Sequence, residues 1–397
     1  MDTLYSLFAQ RVKQVPLTFR RYLIDVIDWS NRLIAIKGAR GVGKTTLLLQ
    51  YIKENFPLNE TVLYASLDNL YFQTHRLVDL ADNFVLQGGR YLFLDEVHKY
   101  SSWSTEIKNV YDNYQNLTIV FTGSSMLEIY RGDADLSRRA ITYEMHGLSF
   151  REFIQMDQNV SLPTVSWEDL LNHHMTLAQN LASDIKPIAL FKQYLEYGYY
   201  PYFVENKKSY LQKVANAVNL IIEVDIPAVQ KMDYSTINKL KKLLYIIATT
   251  VPFKPNIAKL SEKIGTSRAS TLQYLDYLKN AHIINLLRND TEGISYLTKP
   301  EKIYLNNTNL MYALASGQAN VGTLRETFFY NQVNLSHALS FSKTGDFVVD
   351  KRYTMEVGGK NKTAQQISNT PNAYVVADNL EIGFKNKIPL WLFGFLY

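Results

Sequence analysis

The stretch LIAIKGARGVGKTTLLLQ, residues 33–50, decides the fold of the first third of the chain. Its apolar start predicts a buried strand, and its leucine-rich end predicts a helix. Between them, Gly38, Gly43, Lys44 and Thr45 complete the pattern G-x-x-x-x-G-K-[ST]. A chance match in a glycine-rich turn is the alternative, but the strand before the pattern and the helix after it argue against that. We therefore predict a phosphate-binding loop between a strand and a helix.

The residue types in this loop determine its chemistry. Glycine permits backbone angles and close approaches that side chains forbid, so successive amides can point at phosphate oxygens. The following helix adds the positive end of its dipole, the Lys44 ammonium neutralises β- and γ-phosphate charge, and the Thr45 hydroxyl is a ligand for Mg²⁺. ATP and Mg²⁺ are thus the predicted cofactors. The predicted nucleotide-binding residues are Gly38, Ala39, Arg40, Gly41, Val42, Gly43, Lys44, Thr45 and Thr46.

Two acids stand at the end of another predicted strand. The segment YLFLDEVHKY, residues 91–100, contains a mostly apolar run that ends in Asp95 and Glu96. A strand that merely ends in solvated acids is the alternative, and the upstream phosphate loop argues against it. Beside that loop, Asp95 would hold the metal and its water shell, and Glu96 would orient or deprotonate the attacking water. The acid pair favours water over a small-molecule acceptor and so predicts ATP hydrolysis.

Polar residues after the next strand are candidates for contact with the γ-phosphate. The strand LTIVF is followed by the hydroxyls of Thr122 and Ser124, and then by Arg131, Arg138 and Arg139. An arginine here could stabilise γ-phosphate charge in the transition state. A basic helix end that complements its own dipole explains these arginines equally well. The sequence does not choose between Arg138 and Arg139.

Four segments together resemble a known family in order and spacing. They are GARGVGKTTLLLQ, FLDEVHKYSSWSTEIKNVYD, FTGSSML and LSRRAITYEMHGLSFREFI, and they resemble bacterial and archaeal AAA-type ATPases with a C-terminal domain of unknown function. The resemblance continues more loosely in YLEYGYYPYFVE, NIAKLSEKIGTSRASTLQYLDYLKNAHIINLL and DFVVDKRYTMEVGGKNK. It implies ATP binding, a winged-helix segment and a restriction-nuclease-like end, but no settled cellular role.

The order of predicted elements indicates an α/β fold. Apolar strands at residues 33–37, 62–67, 91–94, 117–121 and 141–145 alternate with helical stretches, which predicts the parallel sheet of a P-loop NTPase of the AAA type. Strands disappear from residue 150 to about residue 232, three helices and a strand are predicted over about 236–290, and strands return from residue 302 onward, ending with WLFGFLY. The predicted organisation is a P-loop ATPase domain at 1–150, a helical connector at 151–232, a winged-helix-like domain at 233–300 and a nuclease-like α/β domain at 301–397.

A helix-turn-helix rhythm lies in the third of these segments. Ile257, Leu260 and Ile264 share one helical face, and a second face is predicted to consist of Leu272, Leu275 and Leu278. Such helices also serve simply as packing units. If DNA is bound, the side chains predicted to face it are Arg268, Ser270, Thr271, Gln273 and Lys279.

Three acids in the last segment follow the layout of a PD-(D/E)XK nuclease core. Glu326 lies on a predicted helix, Asp346 opens a strand, and Glu356 lies in the next strand, so the three could hold a second metal ion. The lysine of that motif is replaced by Gly358, and only Lys360 or Lys362 is nearby. Hydrolysis would need a displaced lysine, and a degenerate fold used for contacts is the alternative.

Composition limits the class of protein. With 47% hydrophobic and 20% charged residues, the 397-residue chain can bury several cores. It has no cysteine, which excludes disulfides and thiolate zinc sites, and no apolar stretch long enough to span a bilayer, so we expect a soluble, cytoplasmic protein without membrane contact. A net charge of +5 permits but does not require a polyanion.

Two functions remain after these observations. The first is an ATPase whose nucleotide state drives or regulates movement of its C-terminal domains, acting on a protein partner or within a homo-oligomer. The alternative is an ATP-regulated DNA-binding protein or nuclease effector.

Overall fold

A computed structural model describes the protein at residues 2–123, 136, 138–230, 232–250, 254–289, 299–315 and 320–397. These residues form two units, Met1–Gly147 and Leu148–Tyr397. The boundary lies close to the one predicted at residue 150. The boundaries predicted inside the second unit, at 232 and 300, stay predictions.

The first unit is built on a parallel five-stranded sheet in the order β2-β3-β4-β1-β5. Its first four strands are almost entirely buried, as expected for a parallel sheet covered on both faces, whereas β5 at the edge is mostly exposed. The predicted strands are confirmed to within one or two residues at their ends. Their bounds are Leu33–Lys37 (β1), Val62–Ser66 (β2), Tyr91–Asp95 (β3), Thr118–Gly123 (β4) and Ile141–Glu144 (β5).

The helices of this unit precede and connect the strands. Two of them lie in the segment before β1, and the helix after β1 begins at Lys44 as the loop motif requires. The sheet order places β4 between β1 and β3, so the loop after β1 and the acids after β3 leave the same edge of the sheet. The bounds are Asp2–Gln14 (α1), Leu23–Val26 (α2), Lys44–Asn55 (α3), Leu77–Leu86 (α4) and Trp103–Asn113 (α5), with 3₁₀ turns at Leu70–Gln73 and Val97–Lys99.

The second unit begins with helices, as predicted. A capping box opens the first of them, because the Ser149 hydroxyl accepts a hydrogen bond from the Glu152 amide and the Glu152 carboxylate accepts one from the Ser149 amide. The bounds are Phe150–Gln158 (α6), Trp167–Asp184 (α7), Pro187–Tyr197 (α8), Tyr210–Leu220 (α9), Ile226–Gln230 (α10), Tyr234–Thr249 (α11), Ile257–Ile264 (α12) and Arg268–Asn280 (α13), with 3₁₀ turns at Pro201–Val204 and Lys207–Ser209 and a π-helical stretch at Ile221–Asp225.

The buried face predicted for α13 is wrong at one position, because it included Leu272 in place of Thr271. Thr271, Tyr274, Leu275 and Leu278 are buried, whereas Leu272 is only partly covered. Thr271 therefore belongs to the core face, where its hydroxyl contacts the Ser261 hydroxyl at 3.0 Å, and it does not point outward as predicted. The reason is the helical period, which places 271 and not 272 in register with 275 and 278. After α13, strands Ile284–Leu287 (β6) and Lys302–Leu305 (β7) pair antiparallel.

A second five-stranded sheet, in the order β12-β11-β10-β9-β8, closes the chain. β10 pairs antiparallel with β9 and parallel with β11. The predicted strand at WLFGFLY is wrong, because Leu390–Phe395 forms a 3₁₀ turn whose residues are all buried. An unbroken apolar run has no period, so burial alone cannot distinguish a strand from a turn. The bounds are Thr308–Leu314 (α14), Val321–Val333 (α15), Leu339–Phe341 (β8), Phe347–Val349 (β9), Tyr353–Gly358 (β10), Ala373–Ala377 (β11) and Lys387–Pro389 (β12).

Within the described part of the chain, no helix combines the length and apolarity that crossing a bilayer needs.

Candidate nucleotide site

The loop between β1 and α3 has the backbone that phosphate binding needs. Gly41 and Gly43 have φ angles of 85° and 100°, in the left-handed region that residues with side chains rarely adopt. Gly38 is needed for a different reason, since a β-carbon there would lie 2.3 Å from the Met145 carbonyl oxygen. Gly41 and Gly43 thus have the special backbone angles, and Gly38 has a close approach to the Met145 backbone, while the contact of the loop amides with phosphate stays a prediction.

Lys44 lies inside this loop. Its side chain is buried, and Nζ donates hydrogen bonds to the carbonyl oxygens of Gly38 at 2.8 Å and Ala39 at 2.9 Å. The ammonium is thereby held among the backbone groups that are predicted to surround the triphosphate. A phosphate oxygen entering the loop would meet this charge directly.

The sheet brings the two predicted metal ligands into contact. Asp95 is buried at the end of β3, and its Oδ2 accepts a hydrogen bond from the Thr45 hydroxyl at 2.6 Å. Its other oxygen, Oδ1, accepts one from the Thr122 hydroxyl and one, at 3.2 Å, from the Glu96 amide. Hydroxyl and carboxylate oxygens are the donor types that Mg²⁺ prefers, so this pair fits the predicted cation.

Two further residues that the sequence did not identify belong to this site. The buried Tyr64 of β2 donates its hydroxyl to Asp95 Oδ2 at 2.8 Å, and Arg11 of α1 donates to the Tyr64 oxygen at 3.0 Å. Burial raises the pKa of Tyr64, and the neighbouring Asp95 charge raises it further, so the phenol stays protonated as a donor. The only sequence signal was a phenol within the otherwise apolar strand VLYAS.

Glu96 has an unusual backbone for a residue with a side chain. Its φ is 52°, and its amide also lies 3.3 Å from the Thr122 hydroxyl. The carboxylate lies 3.4 Å from Nε2 of His98, whose side chain is buried, while Glu96 itself keeps 22% of its side chain exposed. The predicted general base is therefore the partly exposed acid, and the predicted metal ligand is the buried one.

The arginine predictions are tested only in part. Arg139 donates to both carboxylate oxygens of Asp112 on α5, at 2.9 and 3.0 Å, and these hydrogen bonds lower the pKa of Asp112. Arg138 is exposed. Ser124 and Arg131 lie outside the described residues. A role for an arginine on the γ-phosphate stays a prediction.

The three acids predicted to hold a metal ion in the second unit form ion pairs with lysines. Lys302 Nζ lies 2.9 Å from Glu326 Oε2 and 3.0 Å from Asp346 Oδ1, and these acids raise the pKa of Lys302 against the opposing effect of its burial. Among the described residues, no three acids or histidines are arranged to hold a metal ion. The predicted second metal site is therefore not supported by the geometry, because an ammonium lies between two of its ligands.

A displaced lysine does reach the third acid. Lys362 pairs with Glu356, which is buried and whose pKa is raised by that burial. A β-carbon at Gly358 would lie 2.7 Å from Cγ of Lys362, so the glycine makes room for the lysine that arrives from four residues later. Lys387 holds this loop by donating to the Lys360 and Lys362 carbonyl oxygens at 2.6 and 3.0 Å.

Comparison with known families agrees with the first unit. Residues 30–154 match the family model of an AAA domain, and residues 188–321 match that of a domain of unknown function. Residues 30–154 are therefore similar to AAA domains, and the sheet order and the loop geometry agree with a P-loop NTPase fold for the first unit. The nuclease-like and winged-helix predictions stay predictions.

Relatives of the chain are distant. An uncharacterized protein of Methanocaldococcus jannaschii is 28% identical over 266 residues, which are 64% of this chain and 56% of that protein, so this chain spans little more than half the length of its relative. Solved structures include the Walker-type ATPase Paby2304 of Pyrococcus abyssi, with 11% identity, a TM-score of 0.40, and coverage of 72% of this chain and 91% of that one. The AMPPCP-bound DnaA of Aquifex aeolicus has 14% identity, a TM-score of 0.28, and coverage of 70% and 88%. These likenesses are too weak to bear on substrate or partner.

Proposed function

We propose that this chain binds ATP with Mg²⁺ at the loop after β1 and hydrolyses it, and that the nucleotide state regulates the second unit. The proposal depends above all on the 2.6 Å contact between Thr45 and Asp95, which are 50 residues apart in the chain. This contact places the helix that follows the phosphate loop beside the acid that ends β3. A glycine-rich turn without a nucleotide role has no reason to meet a buried carboxylate there.

Each residue of the site has a distinct task. Lys44 and the loop amides bind the β- and γ-phosphates, while Thr45 and Asp95 hold Mg²⁺. Bound Mg²⁺ neutralises charge that develops on the phosphate oxygens. Glu96 accepts a proton from water as the water oxygen attacks the γ-phosphorus, and the bond to the β–γ bridging oxygen breaks to leave ADP and phosphate.

Two substitutions test these tasks separately. Lys44→Ala removes the buried ammonium, so nucleotide affinity should fall by roughly tenfold or more, since hydrogen bonds to charged groups contribute about 1.5–3 kcal/mol. Glu96→Gln keeps the shape but removes the base, so binding should persist while turnover falls by about 10²–10⁴-fold. Calorimetry with ADP and a phosphate-release assay measure the two quantities.

Two substitutions at exposed residues are the matched controls: Lys99→Ala controls for the loss of an ammonium group, and Glu60→Gln controls for the loss of a carboxylate. Both variants should bind and hydrolyse ATP as the unmodified chain does. Undiminished phosphate release by both Lys44→Ala and Glu96→Gln would refute the assignment.

DNA is the alternative partner, and the structure narrows the surface it could use. Thr271 is buried, and burial together with Arg288 lowers the pKa of the half-buried Lys279. Asp276 forms an ion pair with Arg288 at 3.4 Å. The exposed side chains that remain on α13 include Arg268 and Gln273. ATP hydrolysis measured with and without duplex DNA distinguishes this partner from a protein partner.

A further inference from the structure

Arg21 lies in the segment that precedes both β1 and the region matching an AAA domain, yet it contacts the phosphate loop. Its side chain is buried, with 4% of the residue exposed, and Nη1 donates a hydrogen bond to the Val42 carbonyl oxygen at 2.6 Å. Val42 is the residue before Gly43 in the loop. A charged group from outside the motif thus holds one of the loop's peptide units.

The direction of that hydrogen bond determines the direction of the next amide. The peptide unit is planar and trans, so its C=O and N–H point to opposite sides. Because Arg21 holds the Val42 carbonyl, the Gly43 N–H points away from Arg21. Gly43 has a φ of 100°, an angle that only glycine adopts readily, so this peptide would be free to rotate without a fixed partner. Arg21 therefore sets the orientation of an amide in the predicted phosphate cradle.

The same guanidinium also holds the end of the first unit. Its Nη2 donates to the carbonyl oxygens of His146 at 2.7 Å and Gly147 at 2.9 Å. Gly147 is the last residue of the first unit, and the chain continues directly into the second. One rigid, planar side chain therefore connects the phosphate loop with the backbone that leads out of the unit.

Arg21 is not needed simply to attach its own segment. Gln50 of α3 donates its side-chain amide to the carbonyl oxygens of Pro16 at 2.7 Å and Phe19 at 2.8 Å. The segment therefore stays anchored to the helix after the loop when the guanidinium is removed. Replacing Arg21 should release the loop peptide and residues 146–147 while leaving residues 16–19 in place.

We propose that Arg21 is a positioning residue that orients the Val42–Gly43 peptide for phosphate binding and couples it to His146 and Gly147. Nucleotide binding at the loop then changes the backbone where the chain enters the second unit. This inference rests on the proposed nucleotide binding, and it adds the route by which that binding leaves the first unit.

The test is hydrogen–deuterium exchange of the full chain with and without saturating MgADP, together with the MgADP affinity. In the unmodified chain, MgADP should slow exchange at residues 38–48 and change it at residues 144–150. In Arg21→Gln the affinity should fall by roughly tenfold, and residues 146–150 should no longer respond even when the loop is saturated.

Arg20→Gln is the matched control, because Arg20 is adjacent, partly exposed, and bound to Asp25 and Glu54 at 3.2 and 3.3 Å. It should keep both the affinity and the response. Arg21→Lys retains the charge without the planar fork, so it should give an intermediate affinity and a reduced response. If Arg21→Gln does not fold, Arg21→Lys becomes the deciding variant. An MgADP affinity and an exchange response equal to those of the unmodified chain would then overturn the proposal.

The possible outcomes separate this inference from the proposed function. If the unmodified chain binds no MgADP, the proposed function fails. If it binds MgADP but residues 146–150 do not respond, or respond equally in Arg21→Gln, the coupling through Arg21 fails while nucleotide binding stands.

Discussion

Glu96 comes directly after the buried strand residue Asp95. The φ angle of Glu96 is 52°, which lies in the left-handed region. For a residue with a side chain this conformation costs about 1–3 kcal/mol and persists where surrounding contacts impose it. Here the contacts are hydrogen bonds from the Glu96 amide to Asp95 Oδ1 at 3.2 Å and to the Thr122 hydroxyl at 3.3 Å. The turn separates two consecutive acids, leaving Asp95 buried and Glu96 partly exposed beside His98. This separation supports two different roles for neighbouring carboxylates.

Tyr64→Phe tests whether the hydroxyl that donates to Asp95 affects the binding of Mg²⁺. The substitution removes the hydroxyl that donates to Asp95 Oδ2 but keeps the ring in the sheet. A hydrogen bond to a charged group contributes about 1.5–3 kcal/mol, so the Mg²⁺ concentration for half-maximal turnover should rise by roughly tenfold. Phosphate release measured across a Mg²⁺ titration gives this value.

Tyr91→Phe is the control for this variant. Tyr91 begins the strand that ends in Asp95, so its hydroxyl belongs to the opposite end of β3. Its Mg²⁺ dependence should match that of the unmodified chain. Equal titrations for all three proteins would mean that Tyr64 only fills space.

The sequence predicted the residues that share a contiguous motif, and it missed those that reach the site through the fold. Gly43, Lys44 and Thr45 have fixed spacing because one turn must surround one phosphate group. Tyr64 and Arg11 join the site only because β2 lies next to β3 in the sheet and α1 lies near β2. No local pattern encodes that neighbourhood, so their role could not be read from the chain.

The first four strands of the first sheet were predicted well because each is almost entirely buried. The run LIAIK is buried at all five positions, so an apolar stretch of strand length had no competing explanation between turn signals. The segment WLFGFLY is equally apolar but forms a 3₁₀ turn. Its Gly394 packs against Phe150 so closely that a β-carbon on Gly394 would lie 2.4 Å from the Phe150 side chain. Burial predicts a core, whereas tertiary contacts decide which element fills it.

Helix α6 offers a test of how an element is joined to the rest of its unit. Ser149 caps it and also donates its hydroxyl to the Tyr397 backbone oxygen at 2.7 Å. Ser149→Ala therefore loses a cap and leaves a buried acceptor with one donor fewer, and should lower the free energy of unfolding by about 2–3 kcal/mol. Chemical denaturation of the full chain measures this change.

Ser166→Ala is the matched substitution, because Ser166 caps α7 by accepting from the Asp169 amide at 3.0 Å but is exposed. It should cost about 1 kcal/mol, the ordinary contribution of a cap. An equal loss in both variants would show that the bond to Tyr397 adds no stability.

The two units differ in how far their chemistry could be foreseen. In the first, motif, sheet order and family match agree on one nucleotide site. In the second, the acids Glu326, Asp346 and Glu356 were predicted to hold a metal ion, but Lys302 lies between two of them and was not expected there. Lys302 belongs to β7, at the start of the last predicted segment. Its two partners lie 24 and 44 residues later in the chain. A spacing pattern for acids says nothing about a cation supplied from another strand.

Lys302→Met decides whether this cluster is a metal site or an internal ion-pair network. The lysine is buried between Glu326 and Asp346, with 10% of its side chain exposed. Removing one partner of a buried pair costs about 3–5 kcal/mol, because the remaining charges lose their compensation. The variant should therefore unfold at a lower temperature than the unmodified chain, and Mn²⁺ should restore part of the loss by taking the place of the ammonium. Thermal unfolding without nucleotide, with and without Mn²⁺, measures both effects.

Lys207→Met serves as the control, because its ion pair with Asp157 at 2.9 Å leaves 47% of the lysine side chain exposed. It should change the unfolding temperature little and acquire no Mn²⁺ dependence, since exposed ion pairs contribute about 0–1 kcal/mol. If Mn²⁺ stabilises the unmodified chain as strongly as Lys302→Met, a metal can bind despite the lysine. Plasmid nicking that disappears in Asp346→Ala would then establish the nuclease alternative. If only Lys302→Met responds to Mn²⁺, the lysine itself occupies the position that a metal ion would take, and the nuclease alternative loses its metal site.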